Sequence, residues 1–474
     1  MLGLFGALNL GARSLQNQQL GVEVAGHNLA NVNNPAYSRQ RVQLTTSLTL
    51  PGACGPQGTG ADVAGIEQLR DYLLDGRLQS ELSVTGYYQA QQQALENAQA
   101  ELGQTLDRTA ATQDTDAART GGASGLAAAL NNLFGSFQSL AANPASLTER
   151  QGVLQDAQLL ASQFNQTDQR LAGLRQNLNV SLESDVANVN QLLAHIAKLN
   201  GQIADLEAGS RGTANDLRDQ RQAKIEELAK LVKVDVAGAS NGTVDVSIAG
   251  VALVSGNQVL DTLETYEAGN GQWLVRTPAG AAPLPLTGGR LQGTIEARDG
   301  ALATLRAQLN TLAGELITQV NTIHAGGYSL TGTTGEPFFT GANAGSIQVN
   351  PKLSDAPALL QASGAAGATG DNRVALALAQ LKDQKLTALD GQTLGESYGQ
   401  SVAQLGQSLS AANTQLDTQN VVEDMLRRQR DGVSGVSLDE EMTDIMKYQK
   451  AYQASARLIT TVAEMLDTLL SIKP

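Results

Sequence analysis

The sequence predicts a mainly α-helical, multidomain chain: long coiled-coil helices from both termini pair, and a small β domain is inserted between helical stretches. Three observations predict it. Leu438, Met442, Ile445, Gln449, Tyr452, Ala456, Ile459, Ala463, Leu466 and Leu470 follow one another in unbroken steps of four and three, the heptad seam of a helix that buries one stripe against another helix. Phe5, Leu8, Ala12, Leu15, Gln19, Val22, Gly26 and Leu29 repeat those steps at the opposite end. Between them, residues 234–285 change to alternating apolar positions separated by Asn-Gly and Gly-Asn turns, the pattern of short antiparallel strands.

The elements follow in order. The first helix is weakened by Gly3, Gly6, Gly11, Gly21 and Gly26, each costing about 1 kcal/mol relative to alanine. It stops where Asn31, Asn33, Asn34 and Pro35 form a turn. A short strand is expected over 42–49, then a Gly/Pro loop to Gly60 that contains Cys54. Helical spacing runs from Ile66 to about Thr109, Gly121, Gly122 and Gly125 mark a break, and a helix over 126–140 stops at Asn143-Pro144. Residues 145–232 contain no proline. Their best seam is Leu178, Leu182, Asp185, Val189, Leu192, Ile196, Leu199, Ile203 and Leu206, polar only at Asp185, and 215–232 is a further helix with charged flanks. Beyond the β segment, helices are expected over 291–324, 372–388 and 396–430, with turns over 328–345, a strand-like stretch over 346–349 and a hinge at 432–435. Ser437 and Glu440 form a capping box for the last helix, a rod of roughly 50 Å at about 1.5 Å per residue. Ordering it costs on the order of 1.5 kcal/mol per residue, which its seam does not recover without a partner. An intramolecular helix pair and association between subunits both satisfy that need. The division expected is 1–40 with 436–474 as paired terminal helices, 41–233 with 288–435 as a helical rod, and 234–287 as the β-rich insert.

Composition narrows the function. A net charge of −14 disfavours a nucleic-acid or anionic-membrane partner. A single cysteine excludes an internal disulfide framework, and no apolar run reaches membrane-spanning length. The first residues lack the basic flank and cleavage site of a secretory signal, so a cytoplasmic protein and one exported without cleavage both fit. His27, His195 and His324 are scattered without metal-ligand spacing, and His195 reads as a surface imidazole. Asp439, Glu440, Glu441 and Asp444 fall in the first turn of the last helix, where the macrodipole favours carboxylates. No nucleophile, phosphate-binding or metalloprotease motif is present, so no catalytic site, cofactor or metal is expected and the chain reads as a non-enzyme. Trp273 reads as a core strand residue of the insert; the alternative is that Trp273 and Tyr266 form a carbohydrate- or surface-binding face.

The stretch 434–470, SGVSLDEEMTDIMKYQKAYQASARLITTVAEMLDTLL, closely resembles the end of flagellar hook-associated protein 1 chains, the hook–filament junction family. NLANVNNPAYSRQ at 28–40 resembles the turn after the first helix of rod, hook and junction proteins, with Asn28, Asn31, Tyr37 and Arg39 carrying the motif. It departs at Ala36, where the family usually has Gly, and at His27, usually Asn. Residues 142–165, 215–236 and 288–327 are similar to the junction proteins rather than to hook or rod subunits. The resemblance implies an axial protein that joins hook to filament before flagellin polymerises. Its assembly interface would include Leu8, Leu15, Val22, Leu29, Leu438, Met442, Ile445, Tyr452, Ile459, Leu466 and Leu470. Further copies of itself in a helical ring, the hook protein and the second junction protein would be its partners. An export chaperone would cover the C-terminal helix, and the chain would leave the cell unfolded through the flagellar channel. The terminal helices would then order only on assembly. A second junction protein, a flagellin-like subunit, or a scaffold whose insert binds carbohydrate or surfaces are the alternatives.

Overall fold

The computed structural model describes residues 3–51, 55–102, 125–209 and 213–471. Cys54, Gly121, Gly122 and the expected helical tail at 103–109 lie outside the described residues. Helix α1 (Leu4–Ala30) leads into β1 (Gln40–Thr46), which pairs antiparallel with β4 (Ala61–Gln68) through a β2 (Thr49–Leu50) and β3 (Gln57–Gly58) extension. Ile66 was expected to begin a helix. It lies in β4, opposite Val42, and helix α2 (Tyr72–Glu101) starts only after Asp71, whose side chain accepts the backbone N–H groups of Leu73 and Leu74.

Helix α3 (Leu126–Ala142) stops at the predicted Asn-Pro. Helix α4 (Leu147–Ala208) then runs 62 residues, about 90 Å at 1.5 Å per residue. Its seam is buried from Leu182 through Ile203 apart from a half-buried Leu199, whereas Leu206 is exposed. Asp185, the polar defect, is buried and pairs with Arg290 at 3.1 Å; burial pushes its pKa up although the Arg290 charge opposes this. Helix α5 (Asn215–Leu231) follows.

The insert is a four-stranded antiparallel meander, β5 (Asp235–Gly238), β6 (Val244–Ile248), β7 (Val251–Ser255) and β8 (Gln258–Val259), with a separate hairpin of β9 (Glu264–Gly269) and β10 (Gln272–Arg276). Trp273 packs against the core under this sheet. The tight turns at Ala249-Gly250 and Gly269-Asn270-Gly271 use positive φ.

Helix α6 (Gly289–Glu296), a π-helical stretch (Ala297–Leu302) and α7 (Ala303–Ala325) form one continuous rod. Short β11 (Phe339–Thr340) and β12 (Gln348–Val349) pair, and α8 (Pro351–Asp355) and α9 (Arg373–Gln380) follow. The helix expected over 372–388 ends early: two 3₁₀ turns follow α9, and they set Leu381 and Leu389 into the core. Helix α10 (Leu394–Ser434) opens on a Thr393–Glu396 capping box and passes straight through Gly432, so the predicted hinge moves to 435–437, before α11 (Leu438–Ser471).

Three clusters make the core. The largest joins α3, the first half of α4, α7, α9 and the start of α10. The second joins the later half of α4, α5 and the insert. A small third cluster joins α2, α5 and α10 through Leu78, Leu82, Ala229 and Leu426. Tight helix crossings support it: a Cβ on Gly86 would lie 2.0 Å from the Lys230 carbonyl oxygen. No residue of α1 or α11 belongs to any of the three clusters.

Candidate assembly interface

Helices α1 and α11 pack antiparallel along most of their length. Their opposed rungs are Asn28 with Glu441, Gly21 with Tyr448, Ser14 with Ser455 and Gly11 with Ile459. The Ser14 and Ser455 hydroxyls are 2.7 Å apart. A Cβ on Gly21 would sit 2.6 Å from the Tyr448 ring, and one on Gly11 would sit 2.7 Å from Ile459. Two of the glycines that weaken the helix are therefore the positions that admit the partner's large side chains.

The predicted seams only partly coincide with this contact. On α1 the buried positions are Gly11, Gly21, Val24, Ala25 and Asn28; Leu8, Leu15, Val22 and Leu29 are half-buried beside them. On α11, Ile445, Ile459 and Leu466 are half-buried, while Leu438 (53%), Met442 (47%), Tyr452 (43%) and Leu470 (72%) face outward. Leu458, Met465 and Leu469 add to the outward apolar surface. These side chains leave apolar surface exposed on a helix that is already paired with α1.

The base of the pair is tied to the body through the turn motif. Asn28, 1% exposed, uses its whole amide: Nδ2 donates to the Gln40 carbonyl (2.9 Å) and to Glu441 Oε2 (3.0 Å), and Oδ1 accepts from the Tyr37 hydroxyl (2.7 Å) and the Gln40 N–H (3.0 Å). Arg39 reaches Glu440, Glu441 (2.6 Å) and Asp444 (3.6 Å). Burial alone would lower its pKa, but the bonds and charges of Glu440 and Glu441 raise it. Glu440, expected to complete a capping box, is thus turned to Arg39. Asn31 closes the end of α1 on the His27 carbonyl (3.0 Å). The turn needs no glycine at Ala36, whose backbone does not take positive φ, and Asn34 Oδ1 accepts the Ala36 N–H at 3.1 Å.

A second layer anchors this turn to α5. Asp219, 4% exposed, accepts the Ser38 N–H and hydroxyl (both 2.9 Å) and Arg70 Nη1 (3.2 Å). Burial pushes the Asp219 carboxyl up against these three donors. Gln40 Nε2 donates to Asp216 at 2.8 Å, and the Arg39 N–H donates to the Ser434 carbonyl at 2.8 Å. The Tyr37 phenol is raised by burial, then by Asp216, Asp219 and Glu441. Sequence reading missed Ser38, Asp216, Asp219 and Glu441 as partners of the motif. They stand far from it in the chain, and only the density of polar residues in 28–40 signals that it has partners.

Family models match two parts of the chain: the flagellar hook-associated protein FlgK helical domain over 112–339, and the flagellar basal body rod FlgEFG protein C-terminal region over 431–472. A flagellar hook-associated protein 1 of Bacillus subtilis (strain 168) is 29% identical over 99% of both chains, and that of Escherichia coli (strain K12) is 24% identical over 98% of this chain and 99% of its own. Over nearly its whole length the chain is similar to flagellar hook-associated protein 1 chains. The solved structure of the flagellar hook junction protein FlgK from Burkholderia pseudomallei shares the fold, with a TM-score of 0.63 at 19% identity, covering 76% of this chain and all of that one. The end matched by the rod-protein model is α11 with its entry from α10. That segment carries the outward apolar stripe and the carboxylates that hold Arg39.

Proposed function

We infer that this chain is a structural protein of the bacterial flagellum, an adaptor at the hook–filament junction that is in place before flagellin polymerises. The observation that carries the reading is the α1–α11 pair. It shares no core with the rest of the chain, is fixed to it by a polar turn, and presents Leu438, Met442, Tyr452 and Leu470 outward. Subunits that pack such pairs head to tail cover the stripe and extend an assembly instead of closing a dimer. We place Leu8, Leu15, Val22, Leu29, Ile445, Ile459 and Leu466 along the edges of the same interface. Further copies of the chain, the hook protein and the second junction protein are its partners on this reading. An export chaperone covers the stripe before the chain leaves the cell through the flagellar channel, and the insert projects outward.

Deleting the gene tests the function directly. Hooks without filaments, with flagellin shed into the medium, are expected by electron microscopy and immunoblot; normal filaments would refute the junction role. Replacing Leu438, Ile445 and Ile459 together with Asp is expected to leave the body folded and abolish incorporation, and a motile strain would show that the stripe is not the interface.

A further inference from the structure

Between α2, α5 and the insert lies a cleft of about 490 Å³ whose walls include Arg70, Tyr72, Asp75, Arg218, Arg221 and Thr243. The three guanidinium groups differ in how they are satisfied. Arg70 donates to Asp75 (2.6 Å) and Asp219 (3.2 Å). Arg218 forks onto Glu207 with bonds of 2.8 and 2.7 Å. Arg221, 7% exposed, is different. Its Nη1 donates to the Asn200 side-chain oxygen and the Gly242 carbonyl, both at 2.8 Å. Among the described residues Nε and Nη2 have no hydrogen-bond partner and no carboxylate pairs with the group. A buried guanidinium without a paired anion loses hydration that two neutral acceptors and the nearby Glu207 charge offset only in part. Its pKa falls to about 10, first through burial and then through the nearby Arg218 charge. Asp75 is the only carboxylate among the described lining residues, and Arg70 holds it.

We propose that this cleft is an oxyanion-binding site in which the open edge of Arg221, flanked by Arg218, receives one carboxylate or phosphate group. A planar guanidinium with two free donors suits bidentate recognition of such a group. Two sources supply that chemistry: a free anion in the medium, or an acidic side chain of a neighbouring copy of this acidic chain. The site is separate from the α1–α11 interface and stands whether or not that interface is read correctly.

The test uses the full-length chain with sodium phosphate as the probe, titrated against sodium chloride at constant ionic strength. The side-chain N–H resonance of Arg221 in arginine-labelled protein and the unfolding midpoint are read together. The expected result is a saturable resonance shift in the millimolar range and a rise in midpoint. The rise in midpoint is lost in Arg221→Met and largely lost in Arg221→Lys, which keeps the charge without the planar fork. If Arg221→Met does not fold, the wild-type resonance and Arg221→Lys still decide. A linear, non-saturating resonance shift in the wild type, or a midpoint rise unchanged in Arg221→Lys, overturns the site. Sedimentation identifies the source: phosphate that breaks up oligomers as it saturates the resonance points to a neighbour's carboxylate, and saturation at constant mass points to a free anion.

Discussion

Asn28→Ala isolates the polar turn from every other source of stability. The substitution removes four hydrogen bonds at once and leaves the Gln40 N–H and C=O and Glu441 Oε2 without their partner in a buried site. Neutral bonds are worth about 1 kcal/mol each and a bond to a carboxylate about 2, so the expected loss is about 4 kcal/mol after the Tyr37 hydroxyl finds water. Because α1 and α11 share no hydrophobic cluster with the body, that loss falls on the terminal pair. It corresponds to close to a thousandfold increase in local opening, at about 1.36 kcal/mol per decade. Amide exchange read by mass spectrometry tests this. Peptides from 4–30 and 438–471 are expected to exchange faster by two to three decades, while those from α4 and α7 keep the wild-type rate. Equal acceleration throughout would show that the pair and the body open as one unit. No acceleration would show that the apolar and glycine contacts of the pair suffice and that the turn does not anchor it. A wild-type pair already exchanging at the unfolded rate would show that the ends order only on assembly.

Other consequences can be measured independently. Gly86→Ala drives a Cβ into the Lys230 backbone and is expected to destabilise the body by about 2–3 kcal/mol. Gly76→Ala in the same helix meets nothing within 4 Å and is expected to stabilise it by up to about 1 kcal/mol; urea unfolding compares the two. His324 is fully buried; Nδ1 contacts the Glu336 carbonyl (2.8 Å) and Nε2 accepts the Gln361 N–H (3.0 Å), which fixes the neutral ring. Burial lowers its pKa from 6.5 to about 4. The unfolded chain therefore binds the proton first as pH falls. The contribution of His324 is complete above pH 6.5 and is lost progressively down to about pH 4, on the order of 3 kcal/mol in all. His324→Gln is expected to flatten the fall in stability between pH 7 and pH 4.5, and an unchanged slope would assign the acid sensitivity to other groups.

Apolar spacing made the helices legible, and it failed where contact is made by other chemistry. The α4 seam is readable because its buried positions, Asp185 apart, are Leu, Ile and Val. The α1–α11 contact was displaced from the predicted seam because its rungs are Gly11, Ser14, Gly21 and Asn28, residues that a hydrophobic pattern scores as gaps. The glycines were read as a cost to the helix, and their use appears only when Tyr448 and Ile459 are seen against them. Ile66 was misassigned because its strand partner, Val42, lies across a long hairpin. The carboxylates of 439–444 look complete as a helix-end motif; that Glu441 is 2% exposed and faces Asn28 depends on a contact 413 residues away in the chain. Arg221 is likewise silent in the sequence, since its neutral partners Asn200 and Gly242 come from a different helix and the insert.

Helix α4 contributes to two of the three cores without interruption: Val153–Leu174 lie in one and Leu182–Ala197 in the other. Turning one core relative to the other would require bending or twisting an intact α-helix and breaking its backbone hydrogen bonds, with no proline or loop to absorb the strain. The body therefore behaves as a stiff strut. Compliance is concentrated where the α1–α11 pair meets the body: two backbone links, 31–39 and 435–437, and the polar ties around them join the pair to the strut.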